Sequence, residues 1–139
     1  MKLFIVLLTL TYTLFATDAK DAAFALDFND NYKVALQKAK QEDKLLMLVI
    51  IQDPCPYCEM MVENTLSDPE VTLVLREFVS VVIDKHGEFP EAFRTHATPM
   101  CFFIDPKNEE GIWESIGYVK AGTFLEVLKD AQQMRYSTD

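Results

Sequence analysis

Hydrophobic residues change their spacing along the chain, from helical periodicity to uninterrupted runs and back again. Apolar side chains recur at helical spacing between residues 32 and 39, after which Leu45–Ile51 is apolar at every position. An uninterrupted run of this length is typical of a central strand that is covered on both faces. Later apolar runs predict three more strands, over 79–83, 100–104 and 112–117. The last two are joined by a turn that contains Pro106 and Gly111, which predicts a hairpin.

Helical patterns lie between these strands. They are expected at 32–40, directly after a pair of cysteines, at 67–78, at 91–96 and at 124–131. Asn29 or Asp30 is suited to cap the first helix, and the sequence from Ser67 to Glu70 has the form of a capping box. The two early strands should be parallel because helices connect them, whereas the hairpin is antiparallel. The pattern therefore predicts an α/β fold with a central mixed sheet and helices on both faces.

The N-terminal residues have the pattern of a secretory signal peptide. Lys2 precedes an apolar run over 3–15, and small residues follow at 16–19, so cleavage is expected near Ala19. The run is shorter than a typical membrane-spanning helix, and an uncleaved N-terminal membrane anchor is the alternative. In both cases we expect residues 20–139 to be exported as one domain into an oxidising compartment.

Composition and net charge limit the kinds of molecule that this protein can bind. The chain has 139 residues, enough for one domain with a single core, and its formal net charge is -9. This charge repels the phosphates of nucleic acid and of anionic lipids, which argues against a nucleic-acid binder. Three cysteines are too few for a disulfide-rich scaffold, yet Cys55 and Cys58 are separated only by Pro56 and Tyr57.

The cysteine pair lies at the turn from the most buried strand into a helix. Backbone N–H groups at a helix N-terminus favour a thiolate, so Cys55 is the expected nucleophile and Cys58 the resolving thiol. Half of a zinc site is one alternative, but there is no second such pair and His86 and His96 lack ligand spacing. A structural disulfide is another, although a loop this short stabilises little. Redox exchange is favoured, and it requires neither a metal nor an organic cofactor.

With these residues in place, the region from 29 to 134 resembles a thioredoxin-fold protein, and more narrowly the exported thioredoxin-like proteins of bacteria. The resemblance rests on the apolar strand, the cysteine pair, the helix start at Ser67 and the dipeptide Thr98-Pro99. It implies a cis Thr98–Pro99 bond facing the cysteines and a substrate segment bound in extended form beside it. Pro56 and Tyr57 are the further candidates for substrate contact. The resemblance also implies a periplasmic location.

Two departures from the thioredoxin pattern affect the expected chemistry. Val49 and Pro54 stand where typical thioredoxins carry a buried Asp and a Trp. If a carboxylate assists Cys58 it must be another, such as Asp53 or Glu63. Negative charge from Asp53 and Glu59 beside the sulfur should disfavour the thiolate, which predicts a reducing rather than a strongly oxidising protein.

The sequence thus predicts an exported thiol:disulfide oxidoreductase that acts as a reductant or relay on other exported proteins. It is expected to be a monomer that a membrane thiol electron donor regenerates. The alternatives are a thiol oxidase or disulfide isomerase, and a non-catalytic binding or chaperone module. Cys101 follows Pro99 by two residues in an apolar strand, so it is expected to be buried and inert. His96 is expected to be a solvated loop residue rather than part of the active-site rim.

Overall fold

The computed structural model describes residues 18–137, so the predicted signal peptide lies almost entirely outside the described residues. The elements follow in the order α1 (Ala19–Leu26), α2 (Tyr32–Glu42), β1 (Leu45–Ile51), α3 (Pro56–Met60), a π-helical segment (Met61–Leu66), α4 (Pro69–Leu75), β2 (Phe78–Asp84), a 3₁₀ turn (Glu91–Phe93), β3 (Met100–Asp105), β4 (Glu110–Ile116) and α5 (Ala121–Ser137). Within the described part of the chain, no helix is long and apolar enough to cross a membrane.

The four strands form one mixed sheet in the order β2-β1-β3-β4. β1 pairs in parallel with β2 and antiparallel with β3, and β3 pairs antiparallel with β4. The predicted α/β class, the parallel early pair and the C-terminal hairpin at one side of the sheet are therefore confirmed. The predicted ends of β1 match the observed ends, and those of the other strands differ by at most two residues.

The central strand β1 explains the uninterrupted apolar run. All seven of its residues are buried, and they alternate between two cores on opposite faces of the sheet. Leu45, Met47, Val49 and Ile51 pack with α1, α3, α4 and α5, whereas Leu46, Leu48 and Ile50 pack with α2. Each such side chain contributes about 1.5–3 kcal/mol by leaving water. The strand that leads into the cysteine pair is therefore buried along its whole length.

Helix α1 is absent from the sequence prediction. Its buried face is made by Ala22 and Ala23, which are small and give a weak hydrophobic period, and it begins at Ala19, where the signal is expected to end. Asp18 caps this helix by accepting a hydrogen bond from the N–H of Asp21. Alanines permit close packing against the sheet, so the structure incorporates this segment into the core.

The predicted caps and two helix boundaries need correction. α2 is capped by Asn31, not Asn29 or Asp30, and α4 is capped by Asp68, which accepts from two backbone N–H groups, not by Ser67. Two predicted helix ends also differ from the structure. Phe78 is the first residue of β2 and not the last residue of a helix, and the helical turn after Pro90 ends at Phe93 and not at residue 96. Neighbouring Asn, Asp and Ser residues have similar capping chemistry, so only backbone geometry decides among them.

Replacement of the observed cap of α2 should destabilise the fold. In Asn31→Ala the N–H of Val34 loses its acceptor, so we expect the free energy of unfolding to fall by about 1 kcal/mol in urea denaturation. Asp30→Ala is the matched control, since that exposed side chain caps no helix, and it should change the value by less than about 0.5 kcal/mol. A larger loss in Asp30→Ala than in Asn31→Ala would contradict this cap.

Candidate active site

Cys55 and Cys58 lie at the turn from β1 into α3, as the sequence predicts. Cys55 is the residue that caps α3, and Pro56 occupies the first helical turn, where a missing N–H costs no hydrogen bond. The N–H of Cys58 donates to the Sγ atom of Cys55 at 3.1 Å, and the two residues form a disulfide with their Cα atoms 5.2 Å apart. The sulfur that would carry negative charge after reduction therefore already faces a backbone donor.

The two cysteines differ in their access to solvent. Cys55 is 7% exposed and Cys58 is 1% exposed, so an incoming sulfur can reach Cys55 more readily. Pro56 and Tyr57 lie at the surface beside the pair, and Tyr57 is 62% exposed. This asymmetry suits an external nucleophilic sulfur at Cys55 and a shielded resolving sulfur at Cys58.

Thr98 and Pro99 form the opposite wall of the site. The Sγ atom of Cys55 lies 3.7 Å from the Oγ1 atom of Thr98 and 3.9 Å from its carbonyl oxygen. The Thr98–Pro99 peptide bond is cis, as is the Asp53–Pro54 bond immediately before the pair. Pro99 is buried and Thr98 is half-buried, so the Thr98 side chain that faces Cys55 remains partly open to solvent.

The surroundings of the pair contain no buried carboxylate. Val49 is fully buried and lies opposite Val82 on one neighbouring strand and Cys101 on the other. Asp53 and Glu63 are exposed, and the only buried polar residues in the described part of the chain are Thr65, Ser80 and Ser115. Proton transfer at Cys58 therefore has no buried acid residue to use.

Cys101 is separated from this chemistry by burial. It is 1% exposed in the core beneath the pair, and desolvation raises the pKa of its thiol to about 12. Because a thiolate is the reactive form, Cys101 is unreactive near neutral pH. His96 is exposed, as expected of a solvated loop residue.

Two residues near the site carry no sequence signal. The buried hydroxyl of Thr65 donates to the carbonyl oxygen of Val119, and the N–H of Gly117 donates to the carbonyl oxygen of Pro99 at 2.8 Å. Gly117 has φ of +78°, a conformation that favours glycine. Gly117 is the last residue of the predicted strand 112–117 but lies just after the observed end of β4 at Ile116, and nothing local in the sequence connects it with the cysteine pair.

Comparison with known proteins identifies the family. Residues 32–132 match the thioredoxin-like domain. The chain belongs to this family. An uncharacterized protein of Borreliella burgdorferi is 30% identical over 84 residues, which cover 60% of this chain and 37% of that protein. The chain therefore matches well under half of the length of this relative.

Solved structures agree with the fold. A thioredoxin from Thermus thermophilus is 28% identical with a TM-score of 0.65, and the match covers 74% of this chain and 85% of that one. The oxidised C-terminal domain of DsbD from Neisseria meningitidis has a TM-score of 0.59 at 22% identity, over 75% of this chain and 98% of that domain. The predicted thioredoxin fold is thus confirmed.

Native Cys101 should resist alkylation. In the oxidised protein at about pH 8, iodoacetamide should label no cysteine, because the only thiol has a pKa raised to about 12 by burial. Mass spectrometry should find one labelled residue after unfolding without reductant, and all three cysteines after reduction and unfolding. Rapid labelling of Cys101 in the folded protein would show that its thiol is accessible.

Proposed function

We propose that this protein is an exported thiol:disulfide oxidoreductase that reduces, or relays electrons to, disulfides of other exported proteins. The observation that carries the proposal is the Cys55–Cys58 disulfide at the N-terminus of α3, with the Cys55 sulfur 3.7 Å from Thr98 Oγ1. A disulfide between neighbours in one helical turn, with one sulfur facing a second segment, suits exchange with an external partner.

The proposed reaction begins from the reduced pair. The Cys55 thiolate attacks a substrate disulfide, which forms a mixed disulfide and releases one substrate thiolate. The Cys58 thiolate then attacks the Cys55 sulfur, which releases the second substrate thiolate and leaves the Cys55–Cys58 disulfide. Two electrons pass to the substrate, and two protons from solvent complete its thiols. No metal or organic cofactor takes part.

The substrate segment is proposed to lie in extended form beside Thr98 and Pro99. This segment forms the wall opposite Cys55, and an extended peptide there presents its cysteine to the exposed side of that sulfur. Tyr57, which is exposed beside the pair, and Pro56 extend the contact surface. The protein acts as a monomer in this proposal.

The proposed direction of electron flow is towards the substrate. A strong oxidant needs a greatly stabilised Cys55 thiolate. Here the backbone N–H of Cys58 is the donor placed on that sulfur, Tyr57 stands between the cysteines, and Asp53 and Glu59 bring negative charge nearby. The N–H of Cys58 favours the thiolate, but the negative charges of Asp53 and Glu59 oppose it, and Tyr57 adds no positive charge. The dithiol is therefore only weakly stabilised, which favours a reducing protein.

Export is proposed from the N-terminal sequence. The apolar run over 3–15 has the form of a signal or an anchor, and the periplasm is the compartment proposed. A membrane thiol donor would then supply the two electrons that regenerate the reduced pair. The overall reaction is electron transfer from this donor through Cys55 and Cys58 to a substrate disulfide.

Reduction of insulin tests the enzymatic proposal. With dithiothreitol as electron source, the full chain should accelerate insulin precipitation, and Cys55→Ser should lose this acceleration, by at least about 10²-fold, because the nucleophile is gone. Cys101→Ala is the matched control, since that thiol is buried outside the pair, and it should retain activity. Equal rates for wild type and Cys55→Ser would favour a non-catalytic binding module instead.

Trapping identifies the substrates. In Cys58→Ala the second step is blocked, so mixed disulfides on Cys55 should accumulate in the native host and be released by reductant for mass spectrometry. The double variant Cys55→Ala with Cys58→Ala should trap nothing. Adducts made only of cytoplasmic proteins would contradict the proposed exported location.

A further inference from the structure

Thr65 is a fully buried polar side chain in the helical stretch that carries the cysteine pair. It lies about two turns beyond Cys58, in the π-helical segment that continues α3. Its hydroxyl donates a hydrogen bond to the carbonyl oxygen of Val119, which is 54 residues further along the chain. A buried hydroxyl is costly without such a partner, and π-helical turns are frequent at functional sites.

Val119 belongs to the connection between β4 and α5. This connection is also hydrogen-bonded to Pro99, in the Thr98–Pro99 wall of the site. In that connection the N–H of Gly117 donates to the carbonyl oxygen of Pro99 at 2.8 Å. The left-handed φ of Gly117 sets the direction of the connection at this point. One short segment, 117–119, is therefore bonded both to the helix that carries the cysteines and to the proline that faces them.

Other hydroxyl groups on the same stretch do not make this connection. The hydroxyl of Ser67 donates to the carbonyl oxygen of Glu63, and that of Thr72 to the carbonyl oxygen of Leu66. Both acceptors lie in the same π-helical segment as Thr65. Among the hydroxyl groups of the π-helical segment, α4 and the Ser67–Asp68 link between them, the hydroxyl of Thr65 is the one that bonds to the 117–119 segment.

We propose that Thr65 is a positioning residue for protein-disulfide exchange. Its hydrogen bond to Val119 fixes the Cys55 sulfur relative to the Thr98–Pro99 segment, on which the substrate chain lies. This inference rests on the proposed function and deepens it. Reactions that need only the sulfur should be insensitive to Thr65, whereas reactions that need both the sulfur and the Pro99 segment should depend on it.

Two substrates separate these cases. A small aromatic disulfide, 5,5′-dithiobis(2-nitrobenzoic acid), reports on the Cys55 sulfur alone, and insulin reports on the sulfur and the segment together. In Thr65→Val, which keeps the shape but removes the hydroxyl, kcat/KM for insulin should fall by about tenfold while the small-disulfide rate stays within about twofold of wild type. Thr65→Ser should restore the insulin rate, and Ser67→Ala is the matched control that should leave both rates unchanged.

The ratio of the two rates decides the inference. If folded Thr65→Val keeps the wild-type ratio of the insulin rate to the small-disulfide rate, the inference is overturned. An equal fall in both rates gives that same ratio, because a purely structural residue lowers both rates in proportion to the folded fraction.

If Thr65→Val does not fold, Gly117→Ala tests the hydrogen bond from Gly117 to Pro99. Nothing lies within 4 Å of the added Cβ, so the substitution perturbs only the backbone. It should lower the same ratio, and an unchanged ratio would overturn the inference. A wild type inactive towards insulin would instead overturn the proposed function, and this inference with it.

Discussion

The candidate site depends on the double-sided burial of β1. All seven residues of this strand are buried between two cores, so its carboxyl end cannot shift without disrupting both. Cys55 lies four residues after that end and caps α3. The antiparallel neighbour β3 begins directly after Pro99, so the same strand pairing brings the proline to the cysteines. Burial of a hydrophobic strand is thus what aligns two polar, reactive segments.

Within that frame, backbone groups and one uncharged hydroxyl make the direct contacts with the Cys55 sulfur. The N–H of Cys58 faces the Cys55 sulfur, the Thr98 carbonyl and hydroxyl lie opposite it, and the fully buried Val49 adds no charge. A site made of backbone dipoles and uncharged side chains favours sulfur exchange at Cys55, the more accessible of the two sulfurs. It also keeps Cys101 inert in the core, where burial raises the pKa of its thiol to about 12.

The parts of the site that neighbouring residues in the sequence define could be predicted. The apolar run of β1, the spacing of Cys55 and Cys58 and the position of Pro99 were sufficient to predict the fold and the pair. Asn29, Asp30 and Asn31 all have side chains that can cap a helix. Only the backbone angles, which the sequence does not reveal, select Asn31 as the cap of α2. The bond from Thr65 to Val119 joins residues 54 apart in sequence, so only the packed structure shows that the two are neighbours.

The reduction potential of the Cys55–Cys58 pair tests the central claim most directly. The purified domain would be equilibrated in dithiothreitol and glutathione redox buffers, with thiols trapped by acid and counted by mass spectrometry. The account predicts one reversible two-electron transition confined to Cys55 and Cys58, at a potential near the reducing value of thioredoxin, about −270 mV. A pair that does not cycle, or a potential near that of the strong periplasmic oxidants, about −120 mV, would contradict it.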